Sequence, residues 1–332
     1  MWMPEALLPD LAAAAIAFTI ITYVILDGTD LGVGILFATH RDPDEKRIMV
    51  KSILPIWDGN ETWLVLGGGG LLALFPVAYS VLFSALYIPV MAMLLALIVR
   101  AVALEYRQDA SGRMKRLLDI SLVGGSLIAT LCQGLIMGCV VQGIEQHDGR
   151  FSGTGWEWFG AFPLTCAVVL VIGYALLGNC WLFWRTEGPL QSVAKRRARL
   201  FGWLTLLGTA VVFVWSSLVN PAYREHLFAS SLTLPLILLQ CGLVAGFHRA
   251  FSHRFAFLPL FAVLGGFGVA FALAIIALYP LILPASLTIR EASAPASSQA
   301  FMLSGFAVLV PVTLAYSTWG FWVFRGKVKK DG

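Results

Sequence analysis

Residues 11–38 read LAAAAIAFTIITYVILDGTDLGVGILFA, an apolar run whose only charged residues are Asp27 and Asp30. An α-helix needs about 20 mainly apolar residues to cross a bilayer, so this stretch predicts a membrane-spanning helix. A carboxylate at the centre of such a helix costs about 2.5–3.5 kcal/mol on insertion scales unless it faces protein or water. The stretch therefore indicates a membrane fold and also marks where functional residues are to be sought.

The rest of the chain has the same apolar character. Of its 332 residues 58% are hydrophobic and 13% are charged, whereas soluble domains carry about 25% charged residues. The mean hydropathy is +0.81. We predict an all-α polytopic membrane protein with about nine transmembrane helices, arranged as two four-helix bundles plus one peripheral helix. The predicted spans are 11–38, 52–76, 79–103, 118–142, 159–184, 200–219, 231–249, 256–283 and 300–324.

The basic residues predict the orientation. If the N-terminus lies outside and the chain crosses nine times, every Lys and Arg except Arg150, Arg224 and Arg290 falls on the inner side. This agrees with the positive-inside rule, and a missed helix would break the pattern from that point on. The N-terminus is therefore expected on the outer side, the periplasm of a bacterial inner-membrane protein, and the C-terminus is expected in the cytoplasm. The small net charge of +4 gives no indication of a nucleic-acid partner.

The chain is expected to form a single transmembrane domain over residues 1–332. The basic segment 185–199 lies midway and is predicted to be a loop. It would join a first helix group, 1–142, which carries the acidic motifs, to a second group, 159–325. No basic residue precedes the first apolar run, so the first helix is expected to be permanent and not a cleaved signal peptide.

Two acidic motifs fall inside predicted spans. Asp27 and Asp30 belong to LDGTDLGVG, and Asp58 and Glu61 belong to WDGNETWLVLGGGG. Both pairs have i, i+3 spacing, so each pair shares one helix face. Four neighbours are expected to support the acids, the glycines by allowing close approach of another backbone or of water. These supporting residues are Trp57, Asn60, Gly28 and Gly59.

The two motifs are predicted to lie at the same depth. Asp27 and Asp30 lie roughly 8–11 residues from the inner end of the first helix, and Asp58 about 6 residues into the second, so both fall about 10–15 Å inside the membrane at 1.5 Å per residue. Such acids suit a proton path from the cytoplasm. The alternative is structural: Asp27 or Asp58 caps a broken helix or pairs with Arg100 or another buried base. Arg100 itself is expected to extend its charged head to the interface.

The sequence offers few groups for redox chemistry. A haem in a helical bundle needs axial ligands such as His inside the bundle. All five histidines lie in predicted loops or at helix ends, and no two cysteines form a Cys-x-x-Cys pair. We therefore expect no metal site and no catalytic residue in this chain. The cysteines are interpreted as small buried hydrophobic residues.

Four segments resemble subunit II of the cytochrome bd quinol oxidases. The first two are LDGTDLGVGILF (26–37) and KRIMVKSILPIWDGNETWLVLGGGGLLALFP (46–76), and the spacing between them matches too. VRAVALEYR (99–107) and PASLTIREASAPASSQ (284–299) are further counterparts. The length is typical of the shorter branch of the family, which includes cyanide-insensitive oxidases.

The resemblance implies a respiratory complex. In that family subunit I carries two haems b, one haem d and the quinol site, and it reduces oxygen to water with protons from the cytoplasm. Subunit II has a similar fold without the haem ligands, stabilises subunit I and contributes a proton route. The resemblance assigns the main proton-path role to Asp58 and the next to Asp30, with Asp27 and Glu61 supporting. It also implies a structural quinone in some members and a small single-helix subunit as a further partner.

Three hypotheses remain open at this stage. The first is a haem-free oxidase subunit whose acids conduct protons. The second keeps the complex but makes the chain purely structural, with its glycine-rich helices forming the docking face for subunit I. The third is a proton-coupled secondary transporter, because intramembrane acids and glycine-interrupted helices suit that class as well.

Overall fold

The computed structural model describes residues 5–284, 287–324 and 326–328, and nearly all of this part is helical. The helices are α1 (Leu8–Phe37), α2 (Pro43–Ile53), α3 (Trp57–Leu74), α4 (Pro76–Ala85), α5 (Tyr87–Tyr106), α6 (Gly112–Gln142), α7 (Ala161–Arg185), α8 (Gly188–Val219), α9 (Pro221–Ala229), α10 (Thr233–Ala250), α11 (Leu258–Leu278), α12 (Ile289–Ala292) and α13 (Ala296–Val323). Two antiparallel hairpins complete it: β1 (Gln146–His147) with β2 (Arg150–Phe151), and β3 (Leu281–Leu283) with β4 (Leu287–Thr288).

The prediction of an all-α polytopic membrane protein is confirmed. Among the described residues, eight helices are long and apolar enough to cross a bilayer: α1, α5, α6, α7, α8, α10, α11 and α13. The remaining predicted span, 52–76, corresponds to α3, which has 18 residues, as α10 does. It is less apolar than the others because Asp58 and Glu61 lie in its first two turns.

Two predicted boundaries are wrong. The span 79–103 is divided at Leu86, so a short helix, α4, precedes the membrane-crossing α5. Pro76 and Pro89 lie in the first turns of these helices, where proline is tolerated because the first amides lack intrahelical partners. The segment 185–199 is not a loop, since α8 already begins at Gly188. Its Lys and Arg residues are good helix formers and extend the helix beyond the bilayer.

The packing centres on α1, which contacts α3, α6, α7 and α13. Helix α5 packs against α6, α8 against α7, and α10 against α11. Because α7 contacts α1 and α6 of the first proposed group as well as α8 and α11 of the second, the division into 1–142 and 159–325 remains a prediction.

The two ends of the bundle differ. We call the end of the bundle that holds the Lys- and Arg-rich segments 41–51, 107–116 and 185–199 the basic face. The other end is called the opposite face. At the basic face the amphipathic helix α2 is capped by Asp42, which accepts a hydrogen bond from the Asp44 amide. At the opposite face the hairpins, α4 and α12 form a cover, held in part by a hydrogen bond from the Ala294 amide to the Leu74 carbonyl. Arg325, Lys329 and Lys330, also assigned to the inner side, lie outside the described residues.

Candidate functional site

The acidic part of α1 is packed against α7 without side chains between the backbones. A Cβ atom on Gly32 would overlap the Tyr174 carbonyl, and one on Gly178 would overlap the backbone of Gly32. A Cβ atom on Gly28 would lie 2.6 Å from the Tyr174 ring. This close approach explains why the acidic motif is rich in glycine, and it seals the neighbouring carboxylates of α1 away from lipid.

Asp27 and Asp30 are fully buried, at 0% exposure each. Arg100 of α5 is equally buried, and its Nη1 lies 3.0 Å from Asp27 Oδ1 and 3.1 Å from Glu61 Oε1. The expectation that Arg100 extends to the interface is wrong, whereas the alternative that it pairs with Asp27 is confirmed. The reason is that α6 closes over it at Gly125, where a Cβ atom would lie 2.9 Å from the Arg100 Cβ.

Asn60 completes the arrangement. Its side-chain amide donates a 2.6 Å hydrogen bond to Asp30 Oδ2 and is itself buried. Asp27, Asp30, Asn60, Glu61 and Arg100 therefore form one group, which we call the Arg100 cluster. It joins α1, α3 and α5. The depth of the two motifs in the membrane remains a prediction.

Asp58 does not enter the Arg100 cluster. It is exposed in the first turn of α3, one turn before Glu61, whose side chain is 26% exposed. Exposure thus falls from Asp58 through Glu61 to Asp27. Trp57, beside Asp58, is half-buried and packs against the hydrophobic core. Gly59 lies close to α13, since a Cβ atom placed on it would lie 3.3 Å from the Tyr316 ring.

Several polar atoms of this region lack a hydrogen-bond partner among the described residues. They include Asp30 Oδ1, and Nε and Nη2 of Arg100. Buried polar groups are rarely left in this condition, and each such group calls for a bound water, a proton or a functional role. The cluster also holds three carboxylates against one guanidinium. The number of buried acidic groups therefore exceeds the number of cations that can pair with them.

A second polar chain leads away from Asp27 and was missed by the sequence analysis. The Tyr174 hydroxyl donates to Gln133 Oε1 at 2.8 Å, and Gln133 Nε2 donates to the Tyr23 hydroxyl at 2.9 Å. Tyr23 lies one turn before Asp27, within electrostatic range of its carboxylate. The signal was present: Tyr23 and Asp27 have i, i+4 spacing, and Gln133 is an isolated amide in an apolar run of α6.

Comparison with known protein families shows the family to which the chain belongs. The family model described as cytochrome bd terminal oxidase subunit II matches residues 8–324. The chain belongs to this family. Cytochrome bd-I ubiquinol oxidase subunit 2 of Escherichia coli K12 is 28% identical, over 94% of this chain and 93% of the relative. Cytochrome bd ubiquinol oxidase subunit 2 of Bacillus subtilis is 27% identical, over 97% of both chains.

The fold agrees with this membership. A chain of the bd oxidase structure from Geobacillus thermodenitrificans superimposes with a TM-score of 0.81 over 96% of this chain and 98% of that chain, at 15% sequence identity. Membership confirms that this subunit II is part of an oxidoreductase complex with a partner subunit I, and it decides against a secondary transporter.

The five histidines are spread over several parts of the chain. His40 lies in a loop at the basic face, 2.9 Å from Glu45 Oε2 and 3.2 Å from Arg197 Nη1. Of the others, His147 ends β1, His226 lies in the short helix α9, His248 lies near the end of α10, and His253 follows that helix. Among the described residues, no three His, Cys, Asp or Glu side chains come together as a metal site.

Proposed function

We propose that the chain is the haem-free subunit II of a bacterial quinol:oxygen oxidoreductase in the inner membrane. Its partner is the subunit I that carries two haems b and one haem d. Its tasks are to stabilise that subunit and to provide a path for protons from the cytoplasmic side. The observation that carries the proposal is the Arg100 cluster, a buried set of acids reached from an exposed acid near the basic face.

The proposed path follows the gradient of exposure. Asp58 receives a proton at the basic face and passes it to Glu61, one turn deeper on α3. Glu61 and Asp27 share the Arg100 guanidinium, so a proton on either changes the charge felt by the other. Asp30 and Asn60 continue the path on α1 and α3. An excess of carboxylates over cations favours proton uptake, because an unpaired charge is costly at low dielectric.

Subunit I is proposed to dock on the exposed face of α3. Asp58, Thr62, Val65, Gly69 and Leu72 follow the i, i+4, i+7 spacing of one helix stripe, and Val65 is 74% exposed. Nothing lies within 4 Å of a Cβ atom placed on Gly69, so another helix can approach closely there.

A small single-helix subunit and a structural quinone are further proposed partners of the complex, and the Arg100 cluster requires neither.

The test uses the assembled complex in vesicles. Asp58→Asn is expected to slow both quinol-dependent oxygen uptake and the build-up of membrane potential, while the haem absorbance of the purified complex stays normal. Asp109→Asn is the matched control, because Asp109 is an exposed acid at the same face outside the cluster. Unchanged uptake and potential in Asp58→Asn would remove Asp58 from the path.

A purely structural role is the second candidate, and one observation favours it. The Arg100 ion pairs join α1, α3 and α5, so they also hold the helices together. If this is the whole role, neutralising Asp27 or Glu61 reduces the haem content of membranes. The complex that does assemble would then take up oxygen at the normal rate per haem.

A further inference from the structure

A groove runs along the surface between α10 and α11, far from the Arg100 cluster in the sequence. Its volume is about 430 Å³. Its apolar wall is formed by Leu243, Gly246, Phe261 and Ala262, and Arg249 and His253 line its end at the basic face. Gly246 leaves the wall flat, since nothing lies within 4 Å of a Cβ atom placed there.

The charge around this end of the groove is entirely positive in the local sequence. No Asp or Glu occurs between Glu225 and Glu291, so every charged residue of α10, α11 and their connection is basic. Within the described part of the chain, neither Arg249 nor Arg254 forms an ion pair with a carboxylate. Arg249 is exposed, and Arg254 lies over the Phe255 ring at 4.6 Å.

Helix α8 adds to this positive rim. Lys195 donates a 2.9 Å hydrogen bond to the Phe251 carbonyl, and Arg199 lies 5.4 Å from the centre of the Phe251 ring. Both basic residues are therefore held beside the α10–α11 connection. An apolar groove that ends at clustered cations and aromatic rings matches the two parts of a lipid: an acyl chain and an anionic headgroup at the level of the interface.

We propose that this groove binds an anionic phospholipid of the leaflet at the basic face. The acyl chain lies along Gly246 and Phe261, and the headgroup phosphate lies between Arg249 and His253. The groove opens on the outer surface of α10 and α11, where few residues are buried, so a bilayer lipid reaches it without passing through protein. This inference concerns the outer surface and is independent of the proton path.

The test measures lipid binding to the delipidated complex by native mass spectrometry. Phosphatidylglycerol is expected to bind more tightly than phosphatidylcholine. Arg249→Gln is expected to weaken phosphatidylglycerol about fivefold, the effect of one juxtamembrane charge, and to leave phosphatidylcholine unchanged. Arg116→Gln is the control for charge, because Arg116 is exposed at the same face but belongs to α6.

A second variant tests the apolar part. Gly246→Leu is expected to fill the groove and weaken both lipids, while haem absorbance confirms assembly. Gly124→Leu on α6 is the control, because a Cβ atom there also meets nothing within 4 Å. Equal binding of the two lipids, or equal effects of Arg249→Gln and Arg116→Gln, would overturn the proposal. Displacement of phosphatidylglycerol by an equal concentration of inorganic phosphate would mean a simple anion site and would also overturn it.

Discussion

The helices around the Arg100 cluster and the helices α8, α10 and α11 are similarly apolar but are packed in opposite ways. Helix α7 has buried residues along most of its length, from Phe162 to Arg185. Helix α8 is longer, yet its buried residues are only Leu190, Ala194 and Ala198. The close packing coincides with buried charge. Where charged side chains are removed from water, neighbouring helix backbones lie close enough together to exclude lipid. Where a helix surface is only apolar, contact with the bilayer is sufficient and no close packing is needed.

The largest effect is expected from breaking the buried ion pairs. Arg100→Met should destabilise the subunit by about 3–5 kcal/mol, because it leaves Asp27 and Glu61 without a cation. Thermal unfolding of the complex and its haem content measure this loss. Arg107→Met is the matched control, at the residue that caps the C-terminus of the same helix. Arg107 pairs with Asp119, whose side chain is 21% exposed, so water replaces part of the lost contact.

A compensating variant sharpens this prediction. Arg100→Met combined with Asp27→Asn and Glu61→Gln removes the excess charge along with the guanidinium. It is expected to recover much of the stability lost by Arg100→Met alone. If the triple variant is no more stable than the single variant, the cost came from lost packing of the arginine stem and not from uncompensated charge.

A smaller loss of stability should distinguish the closely packed helices from the lipid-facing helices when one glycine of each is replaced by alanine. Gly32→Ala should cost about 1–3 kcal/mol, because the new methyl group meets the backbone of α7, which cannot move aside. Gly202→Ala in α8 meets only the Phe247 ring, at 2.6 Å, and a ring can rotate away. The gain in helix propensity, about 1 kcal/mol, should leave Gly202→Ala nearly neutral. Equal losses of folded protein in the two variants would contradict the distinction.

The smallest effect concerns the opposite face, where charge is solvated. Burial tends to raise the pKa of Glu157, but hydrogen bonds from Thr154 and Gly155 outweigh it and hold the pKa below its usual value of 4.5. Because the folded pKa is lowered, the stabilisation is present above pH 4.5 and is lost as the pH falls through the folded pKa. The protection factors of the Thr154 and Gly155 amides, which correct for the intrinsic pH dependence of amide exchange, should fall on acidification. Glu157→Gln should remove that dependence, and a dependence that persists would assign it to another group.

The proposed site was only partly predictable. The distances of Asp27, Asp30 and Asp58 from the helix ends predicted one common level for the two motifs, because helix geometry converts sequence position into depth. The i, i+3 spacing added Glu61 to the face of Asp58, and Glu61 is the acid of that motif that meets Arg100. Asn60 was expected to support them, and it does bind Asp30. Asp58 was expected among them but lies exposed, since helix spacing does not tell which side of a helix faces the bundle. Whether Asp58 conducts protons remains a prediction.

Arg100 shows the limit most clearly. An arginine near a helix end extends to water when the helix faces lipid, and nothing local in VRAVALEYR excluded that. Its burial depends on Gly125 of α6 and on carboxylates from α1 and α3, three segments distant along the chain. The Tyr23–Gln133–Tyr174 chain depends likewise on contacts among α1, α6 and α7.

The sequence by itself determined the membrane class and the family, because hydropathy and motifs are local or summed properties of the chain. Of its nine predicted spans, eight correspond to helices long and apolar enough to cross a bilayer among the described residues, and the orientation indicated by its basic residues remains a prediction. The tertiary structure alone decided which acid meets Arg100, which stays exposed, and where a groove opens beside unpaired cations. Those outcomes depend on how helices rotate and pack, and rotation about a helix axis changes every neighbour without changing the hydropathy of a single residue.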